Sequence, residues 1–255
     1  MNSAVFLDFD GVICDSALEC LASSWLAYHR LRRERPPAAV PVDQLERFIR
    51  LRPFARAAPD YVLIQELIGA GREPVSQAEF ERERSARRAR FGRYGRLMQE
   101  VRSGLLRTDP GYWMALHRLY PHVLRELPRW VSSNSFYILS TKRPELILRV
   151  LRHFGLLMDG RRALPCPRSG KLEIIARTMQ RKNIRQALFV DDQIDNLRAE
   201  SEGRNSGRGP EEMPVAKALA AWGYLRREWL VELPPDVELL HPEELAARVN
   251  SLLAG

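Results

Sequence analysis

The stretch AVFLDFDGV at residues 4–12 decides the fold of this chain of 255 residues. It is a short apolar run that ends in two aspartates and a glycine, and its length and flanks indicate a buried strand that stops at Asp8. A second stretch, ALFVDD at residues 187–192, has the same form and ends in Asp191 and Asp192. If both strands are central and parallel, their carboxylates meet at one edge of the sheet.

Further apolar runs and helical patterns alternate around the second stretch. SFYILS (135–140) and PVAKALAAW (214–222) indicate two more strands. Helical spacing of apolar residues predicts helices over residues 120–130, 143–157, 170–182 and 241–253. Alternating strands and helices indicate an α/β fold, with a Rossmann-like parallel sheet as its core and helices on both faces.

The segment 17–118 has a different pattern. We expect no strand between residues 17 and 130, and helices over 16–33, 42–56, 60–70 and 76–103, the last interrupted at Gly92 or Gly95. The predicted organisation is therefore an α/β core from residues 1–16 and 119–255, with an all-α insertion at 17–118. Ligands of open parallel sheets bind beyond the carboxyl ends of the strands, so an insertion directly after the first strand is placed to cover a site there.

Composition excludes several classes of protein. Hydrophobic residues make up 45% and charged residues 28% of the chain, which is ordinary for a soluble globular protein. The odd number of cysteines (Cys14, Cys20 and Cys166), without a C-x-x-C pair, excludes a disulfide framework or a cysteine-built zinc site and favours a reducing compartment. Neither a signal peptide nor a long apolar run is present, so we expect a cytoplasmic protein that does not enter a membrane.

The net charge of +8 admits two interpretations. A basic chain can bind nucleic acid or another polyanion, and RERSARRARFGRYGR (82–96) combines arginines with Phe91 and Tyr94 as a stacking surface for nucleotides would. However, only four of the 40 cationic residues are lysines, which points to a general arginine bias and a solvated helix face. Nucleic acid is therefore possible but is not favoured. Because lysine is rare, Lys142 and Lys171 call for a separate explanation.

The aspartates at the two strand ends indicate a cation site. Like charges that converge at short range repel, and a bound cation is the usual remedy. A small set of carboxylates favours Mg²⁺, which often bridges to a phosphate. A single D-x-D at a strand end could equally be a cap or a turn, but two acidic strand ends with a lysine between them favour the metal. Asp8 and Asp10 would lie on the same side of an extended segment, and Gly11 allows a tight turn.

Other residues are suited to hold an anion. Ser140 and Thr141 end a predicted strand and open a helix, where hydroxyl and free N–H groups bind anions. Lys171 follows Gly170 at the start of another helix, where its charge can neutralise a phosphoryl group. Each signal alone is weak, because such residues are more often caps or solvated side chains. Their order along the chain makes them informative together.

The order of these segments resembles the haloacid dehalogenase-like hydrolase superfamily, in particular its phosphoglycolate phosphatase-like branch. FLDFDGVICDS (6–16) is similar to its first motif, ILSTKRPE (138–145) to its second, Lys171 to its third and LFVDDQIDN (188–196) to its fourth. The insertion after the first motif is where this branch carries a helical cap. The resemblance covers nearly the whole predicted core.

The resemblance implies a role for each matched residue. Asp8 would attack phosphorus and become an aspartyl-phosphate, and Asp10 would protonate the leaving oxygen and then deprotonate the hydrolytic water. Ser140 and Lys171 would hold the phosphoryl oxygens, assisted by the main chain around Phe9, Gly11 and Thr141. The implied ligands of Mg²⁺ are Asp8, the carbonyl of Asp10, Asp192 and, directly or by orienting, Asp191. Many relatives carry a second aspartate four residues on, so Asp195 or Asn196, as well as Asp191, could support the metal beside Asp192.

We therefore expect a Mg²⁺-dependent phosphatase that hydrolyses a small phosphorylated metabolite or a nucleotide. Asp10 disfavours dehalogenation, which has no leaving oxygen to protonate. The absence of lysine from residues 17–118 disfavours phosphonate cleavage by a Schiff base. The alternatives are a phosphomutase of the same superfamily and a catalytically vestigial protein that binds nucleic acid or another anion. The sequence names neither the substrate nor the oligomeric state.

Overall fold

The computed structural model describes residues 2–166, 170–198, 214–231 and 233–254. The chain divides into two compact units. We call Met1–Asp15 together with Leu119–Gly255 the sheet unit, and Ser16–Arg118 the helical unit.

The strands and helices are numbered in their order along the chain. The first part of the chain contains β1 (Ser3–Leu7), β2 (Cys14–Asp15), α1 (Ala17–Arg32), α2 (Val42–Leu51), α3 (Ala58–Gly69), α4 (Gln77–Ala86), α5 (Phe91–Thr108) and α6 (Pro110–Ala115). The second part contains β3 (Arg118–Leu119), α7 (Pro121–Leu124), α8 (Leu127–Ser132), β4 (Phe136–Ser140), α9 (Pro144–His153), β5 (Ala163–Pro165), α10 (Lys171–Lys182), β6 (Gln186–Asp191), α11 (Ile194–Leu197), β7 (Val215–Ala220), α12 (Arg227–Val231), β8 (Val237–Leu240) and α13 (Pro242–Leu253).

The sheet unit is built on a six-stranded sheet in the order β5-β4-β1-β6-β7-β8. Every pairing is parallel, and β1 lies between β4 and β6. Leu7 stands opposite both Ile138 and Val190, so β1, β4 and β6 end close together. The predicted α/β fold with a Rossmann-like parallel sheet is confirmed.

Both faces of the sheet are buried. All five residues of β1 and all five of β4 are buried, as expected of strands covered on both sides. On one face Phe6 and Phe189 join a cluster with Ile175 and Met179 of α10. Helix α13 packs against β1 and β6. Each large side chain removed from water stabilises the fold by about 1.5–3 kcal/mol, so these continuous apolar runs fix the three central strands.

The helical unit has its own apolar core, made by residues from α1 to α5. One predicted boundary is wrong here: the helix expected over 76–103 is two helices, α4 and α5, separated by a 3-10 turn at Arg88–Arg90. The expected interruptions Gly92 and Gly95 both lie inside α5. The local sequence contains no helix breaker at the turn. Instead, a long-range contact is made there, since Arg87 pairs with Glu66 of α3 at 3.0 Å.

Several shorter elements differ from the sequence prediction. The expectation of no strand between residues 17 and 130 is wrong at β3, and β2, β5 and β8 were not predicted. The helix expected over 120–130 is divided into α7 and α8, because Pro128, in the first turn of α8, has no N–H with which to continue α7. Within the part of the chain that the structure describes, no helix combines the length and the apolar character needed to cross a membrane.

A buried ion pair joins two helices of the helical unit. Glu19 of α1 is inaccessible to solvent, and its carboxylate accepts two hydrogen bonds from Arg102 of α5, at 2.7 and 2.8 Å. Ser23 and Trp113 also donate to Glu19, at 2.7 and 3.3 Å. Burial makes each charge depend on the other, because a buried charge without a partner is very costly.

Removal of one member of this pair should therefore destabilise the helical unit more than removal of both. We expect Arg102→Met to cost about 3–5 kcal/mol, and the double variant Glu19→Leu/Arg102→Met to recover much of that loss. Urea unfolding followed by the helical circular dichroism signal measures both. Glu100→Gln changes an exposed carboxylate on the same helix as Arg102 and serves as the control. Equal losses in the single and double variants would contradict this account.

Candidate active site

The parallel sheet brings the predicted acidic residues to one edge. Asp8 follows β1 directly, and its main-chain N–H donates to the carbonyl of Val190, which continues the pairing with β6 for one residue. Asp191 is the last residue of β6, and Asp192 follows it. Ser140 is the last residue of β4, the strand on the other side of β1. Four predicted site residues are therefore placed by the ends of three adjacent strands.

Three carboxylates form a compact buried cluster with one lysine. One oxygen from each of Asp8, Asp191 and Asp192 lies within 4.8 Å of the other two. Lys171, the first residue of α10, reaches into this cluster, with its Nζ 3.0 Å from Asp8 and 2.7 Å from Asp191. The lysine is 2% exposed and Asp8 is 6% exposed, so these charges interact with little screening by water.

The aspartates of the stretch 188–196 differ in their contacts. Asp191 accepts hydrogen bonds from the N–H of Gln193 at 2.8 Å and from the amide of Asn196 at 3.1 Å, in addition to its contact with Lys171. These bonds suit Asp191 to orient its neighbours. Asp195 lies outside the cluster, with its side chain 46% exposed and 3.9 Å from Arg198. Among the residues that the sequence left as alternatives, Asn196 donates to Asp191, and Asp191 and Asp192 both lie in the cluster with Asp8.

Asp10 lies beside a second buried lysine. The Nζ of Lys142 is 3.1 Å from Asp10 Oδ1, and the lysine side chain is 1% exposed. The main-chain N–H of Lys142 donates to the hydroxyl of Ser140 at 3.3 Å. Ser140 is 1% exposed, whereas the neighbouring Thr141 is exposed. The structure therefore brings Ser140 into the cluster's surroundings and leaves the Thr141 side chain at the surface.

Two main-chain amides expected to bind phosphate are engaged within the protein. The N–H of Phe9 donates to Asp8 Oδ1 at 2.7 Å, whereas Lys171 contacts the other carboxylate oxygen, Oδ2. The N–H of Gly11 donates to the carbonyl of Cys14 at 2.9 Å and closes a turn. Both N–H groups therefore already have an acceptor within the protein.

Burial and crowding change the protonation of the cluster. Burial raises the pKa of Asp8 from 3.8 to about 6; the attraction of Lys171 opposes this, and the repulsion of Asp191 and Asp10 adds to it. Burial alone would lower the pKa of Lys171, but the attraction of Asp191 and Asp8 raises it above its ordinary value. The cluster therefore keeps Lys171 charged and resists the full ionisation of Asp8.

The donor set fits a divalent cation with oxygen ligands. The site carries four negative charges when all its carboxylates are ionised, on Asp8, Asp10, Asp191 and Asp192. Two positive charges, on Lys142 and Lys171, leave a net charge of −2. A carboxylate cluster of this kind is the ligand chemistry that Mg²⁺ prefers. A cation of charge +2 would balance the site and relieve the carboxylate repulsion, which adds to burial in raising the pKa of Asp8.

Sequence reasoning missed a segment that lies against this cluster. The N–H of Tyr224 donates to Asp192 Oδ2 at 3.0 Å, its hydroxyl donates to Asp15 at 2.8 Å, and the indole N–H of Trp222 donates to the carbonyl of Val12 at 3.0 Å. A Cβ on Gly223 would lie 2.3 Å from the Cβ of Asp192. The signal in the sequence is the tripeptide WGY directly after a strand, a glycine between two aromatic residues.

Gly11 approaches the same aspartate and lies next to the segment 222–224. Its φ of +88° is one that L side chains rarely adopt, and a Cβ there would lie 2.1 Å from Asp192 Oδ2. The turn after β1 and the segment 222–224 therefore both bring their main chains so close to Asp192 that a side chain at Gly11 or Gly223 would clash with it.

Comparison with known proteins identifies the fold. No family model matches the chain, and neither does any curated protein. Among solved structures, a haloacid dehalogenase-like hydrolase from Streptococcus pneumoniae is similar over 96% of this chain and 97% of its own, with 15% identity and a TM-score of 0.58. A predicted phosphoglycolate phosphatase from Haemophilus somnus is similar over 96% of each of the two chains, with 15% identity and a TM-score of 0.56. A predicted phosphatase from Clostridium acetobutylicum is similar over 99% of this chain and 100% of its own, with 14% identity and a TM-score of 0.55. The chain has the fold of haloacid dehalogenase-like hydrolases.

The raised pKa of Asp8 predicts a pH-dependent gain of stability in Asp8→Asn. The folded value of about 6 exceeds the ordinary 3.8, so the contribution of Asp8 to stability is complete below 3.8 and is lost as pH rises through about 6. Asparagine cannot ionise, so above that pH the variant should melt at a higher temperature than the wild type. Thermal melts in EDTA across this range measure the difference. A difference that does not change with pH would contradict the assignment.

The close approach of Gly223 predicts that a methyl group is not tolerated there. Gly223→Ala should lower the free energy of unfolding by about 1–3 kcal/mol, because Asp192 and the turn at Gly11 must both move away from the new methyl group. Urea unfolding measures the loss. Gly104 of α5 has open space around its Cβ position, and Gly104→Ala should instead stabilise by about 0.5–1 kcal/mol. The same sign for both variants would contradict the packing described.

Proposed function

We propose that this protein is a Mg²⁺-dependent phosphatase of the haloacid dehalogenase-like superfamily. It hydrolyses a small phosphomonoester through an aspartyl-phosphate on Asp8. The observation that carries the proposal is the buried cluster of Asp8, Asp191, Asp192 and Lys171 at the carboxyl edge of a parallel sheet. The likeness of the fold to hydrolases and predicted phosphatases supports it.

Asp8 is the nucleophile of the proposed reaction. The N–H of Phe9 and the ammonium group of Lys171 contact its two oxygens, so its carboxylate has a fixed orientation. In the first half-reaction an oxygen of Asp8 bonds to phosphorus, the bond from phosphorus to the ester oxygen breaks, and Asp10 gives its proton to the leaving oxygen. In the second, Asp10 takes a proton from water as the water oxygen bonds to phosphorus and releases Asp8.

Lys171 and Ser140 serve the transferred phosphoryl group. Lys171 is held charged in a site with little water, where a fixed cation stabilises developing negative charge far better than it would in solution. The Ser140 hydroxyl is fixed by the N–H of Lys142. Both groups can therefore hold phosphoryl oxygens without first reorganising.

Asp8, Asp192 and the main-chain carbonyl of Asp10 would hold Mg²⁺. Asp191 would orient Lys171 and the following turn, because its oxygens already accept several hydrogen bonds. When bound, the ion neutralises negative charge on the carboxylates and on the phosphoryl oxygens.

The arginine-rich stretch does not favour the nucleic-acid alternative. Tyr94 is buried in the helical unit, and its hydroxyl contacts Glu66. Four of the arginines pair with acids of the same unit: Arg82 with Glu79 at 3.8 Å, Arg84 with Asp60 at 3.0 Å, Arg87 with Glu66 at 3.0 Å and Arg90 with Glu66 at 2.8 Å. These contacts weaken the case for nucleic acid, and the likeness to predicted phosphatases supports a small phosphorylated substrate, a metabolite or a nucleotide. The three buried free cysteines support the reducing compartment of the cytoplasm as its location.

Asp8→Asn tests the proposed nucleophile. We expect it to lower phosphate release from a panel of sugar phosphates, nucleotides and phosphoglycolate by about 10⁴-fold or more, since no covalent intermediate can form. EDTA should abolish activity of the wild type, and added Mg²⁺ should restore it. Released phosphate is measured colorimetrically.

Asp195→Asn is the matched control, because Asp195 lies in the same segment as Asp192 but outside the cluster. It should retain activity near that of the wild type. Hydrolysis by Asp8→Asn at the wild-type rate would remove the proposed mechanism. An isomerised phosphate ester in place of released phosphate would identify a phosphomutase.

A further inference from the structure

Lys142 is a buried ammonium group that the proposed chemistry does not use. It lies two residues after the end of β4, and its side chain is 1% exposed. Its Nζ is 3.1 Å from Asp10 Oδ1 and 5.8 Å from the centre of the Phe9 ring. Phosphoryl binding is already assigned to Ser140 and Lys171. A buried ammonium is costly to desolvate, so its placement against Asp10 calls for a reason.

The surroundings of Lys142 fix it in place. Phe9 is inaccessible to solvent, and its ring lies within the range in which an aromatic face attracts a cation. The main-chain N–H of Lys142 is held by the Ser140 hydroxyl. Only four lysines occur in the chain, and two of them, Lys142 and Lys171, lie buried against the site's aspartates. Lys142 is therefore a preorganised contact on the carboxyl group that has to move protons.

We propose that Lys142 is a positioning residue that fixes the Asp10 carboxyl group for proton transfer. This inference rests on the proposed phosphatase activity. Asp10 carries one proton between the two half-reactions: it gives a proton to the leaving oxygen in the first and takes one from water in the second. A hydrogen bond from Lys142 to Oδ1 limits rotation of the carboxyl group in both. A misplacement of about 1 Å in such a group costs on the order of 10²-fold in rate.

The inference predicts that the loss depends on the leaving group. An alkyl phosphate needs a proton on its leaving oxygen, whereas 2,4-dinitrophenyl phosphate releases a stable anion without one. In Lys142→Met the phosphorylation of Asp8 by the dinitrophenyl ester should therefore stay fast. Hydrolysis of the aspartyl-phosphate still requires Asp10 to accept a proton from water. That step should be slower by about 10- to 100-fold.

Rapid-mixing kinetics with the two substrates tests this. With the dinitrophenyl ester, Lys142→Met should release up to one equivalent of dinitrophenolate per protein in a burst, followed by a slow steady state, while phosphate bound to Asp8 accumulates. With an alkyl phosphate, kcat should fall by about 10- to 100-fold without a burst. The Mg²⁺ concentration that gives half-maximal activity should stay within about twofold of the wild-type value, since the cluster of Asp8, Asp191 and Asp192 is unchanged.

Lys217→Met is the matched control, because Lys217 of β7 is a poorly exposed lysine in an ion pair with Asp236 outside the site. It should retain wild-type kinetics. Lys142→Gln, which keeps a hydrogen-bond donor but no charge, should give an intermediate burst and serves if Lys142→Met does not fold. Equal losses on both substrates without a burst, or unchanged kinetics, would overturn the inference while the phosphatase proposal stands. A wild type that releases no dinitrophenolate would overturn both.

Discussion

The repulsion among carboxylates at one edge of the sheet is the constraint on which the site depends. Parallel strand order places Asp8 beside Asp191 and Asp192, and burial prevents water from screening their charges. Lys142 and Lys171 neutralise part of this negative charge. The net charge of −2 that remains is the charge that a divalent cation would balance. The same geometry therefore creates the electrostatic cost and a cluster of oxygen ligands that fits a divalent cation.

Much of the sheet unit could be predicted because its signals are local. β1, β4 and β6 are continuous apolar runs, since both faces of each are covered, and their acidic or hydroxyl residues stand directly at the strand ends. The fold follows from this pattern alone. The break between α4 and α5 could not be predicted in the same way, because Arg87 meets Glu66 through tertiary packing and no breaker marks the position.

Contacts within the site were harder to predict for the same reason. Lys142 and Asp10 are 132 residues apart, and Tyr224 and Asp192 are 32 apart, so neither pairing has a local pattern. The rarity of lysine marks Lys142 as unusual, but only the structure shows which acid it contacts. The amides of Phe9 and Gly11 show the reverse case: their positions suggest anion binding, yet both donate within the protein.

The self-contained core of the helical unit has an evolutionary consequence. Because Ser16–Arg118 packs around its own apolar cluster and its own buried ion pair, its sequence can drift while the strands and their aspartates stay under selection. Recombination at the two boundaries would exchange one such insertion for another in a single event. Descendants of one ancestral gene could thus carry unrelated helical insertions while they retain the same sheet and the same cluster of aspartates.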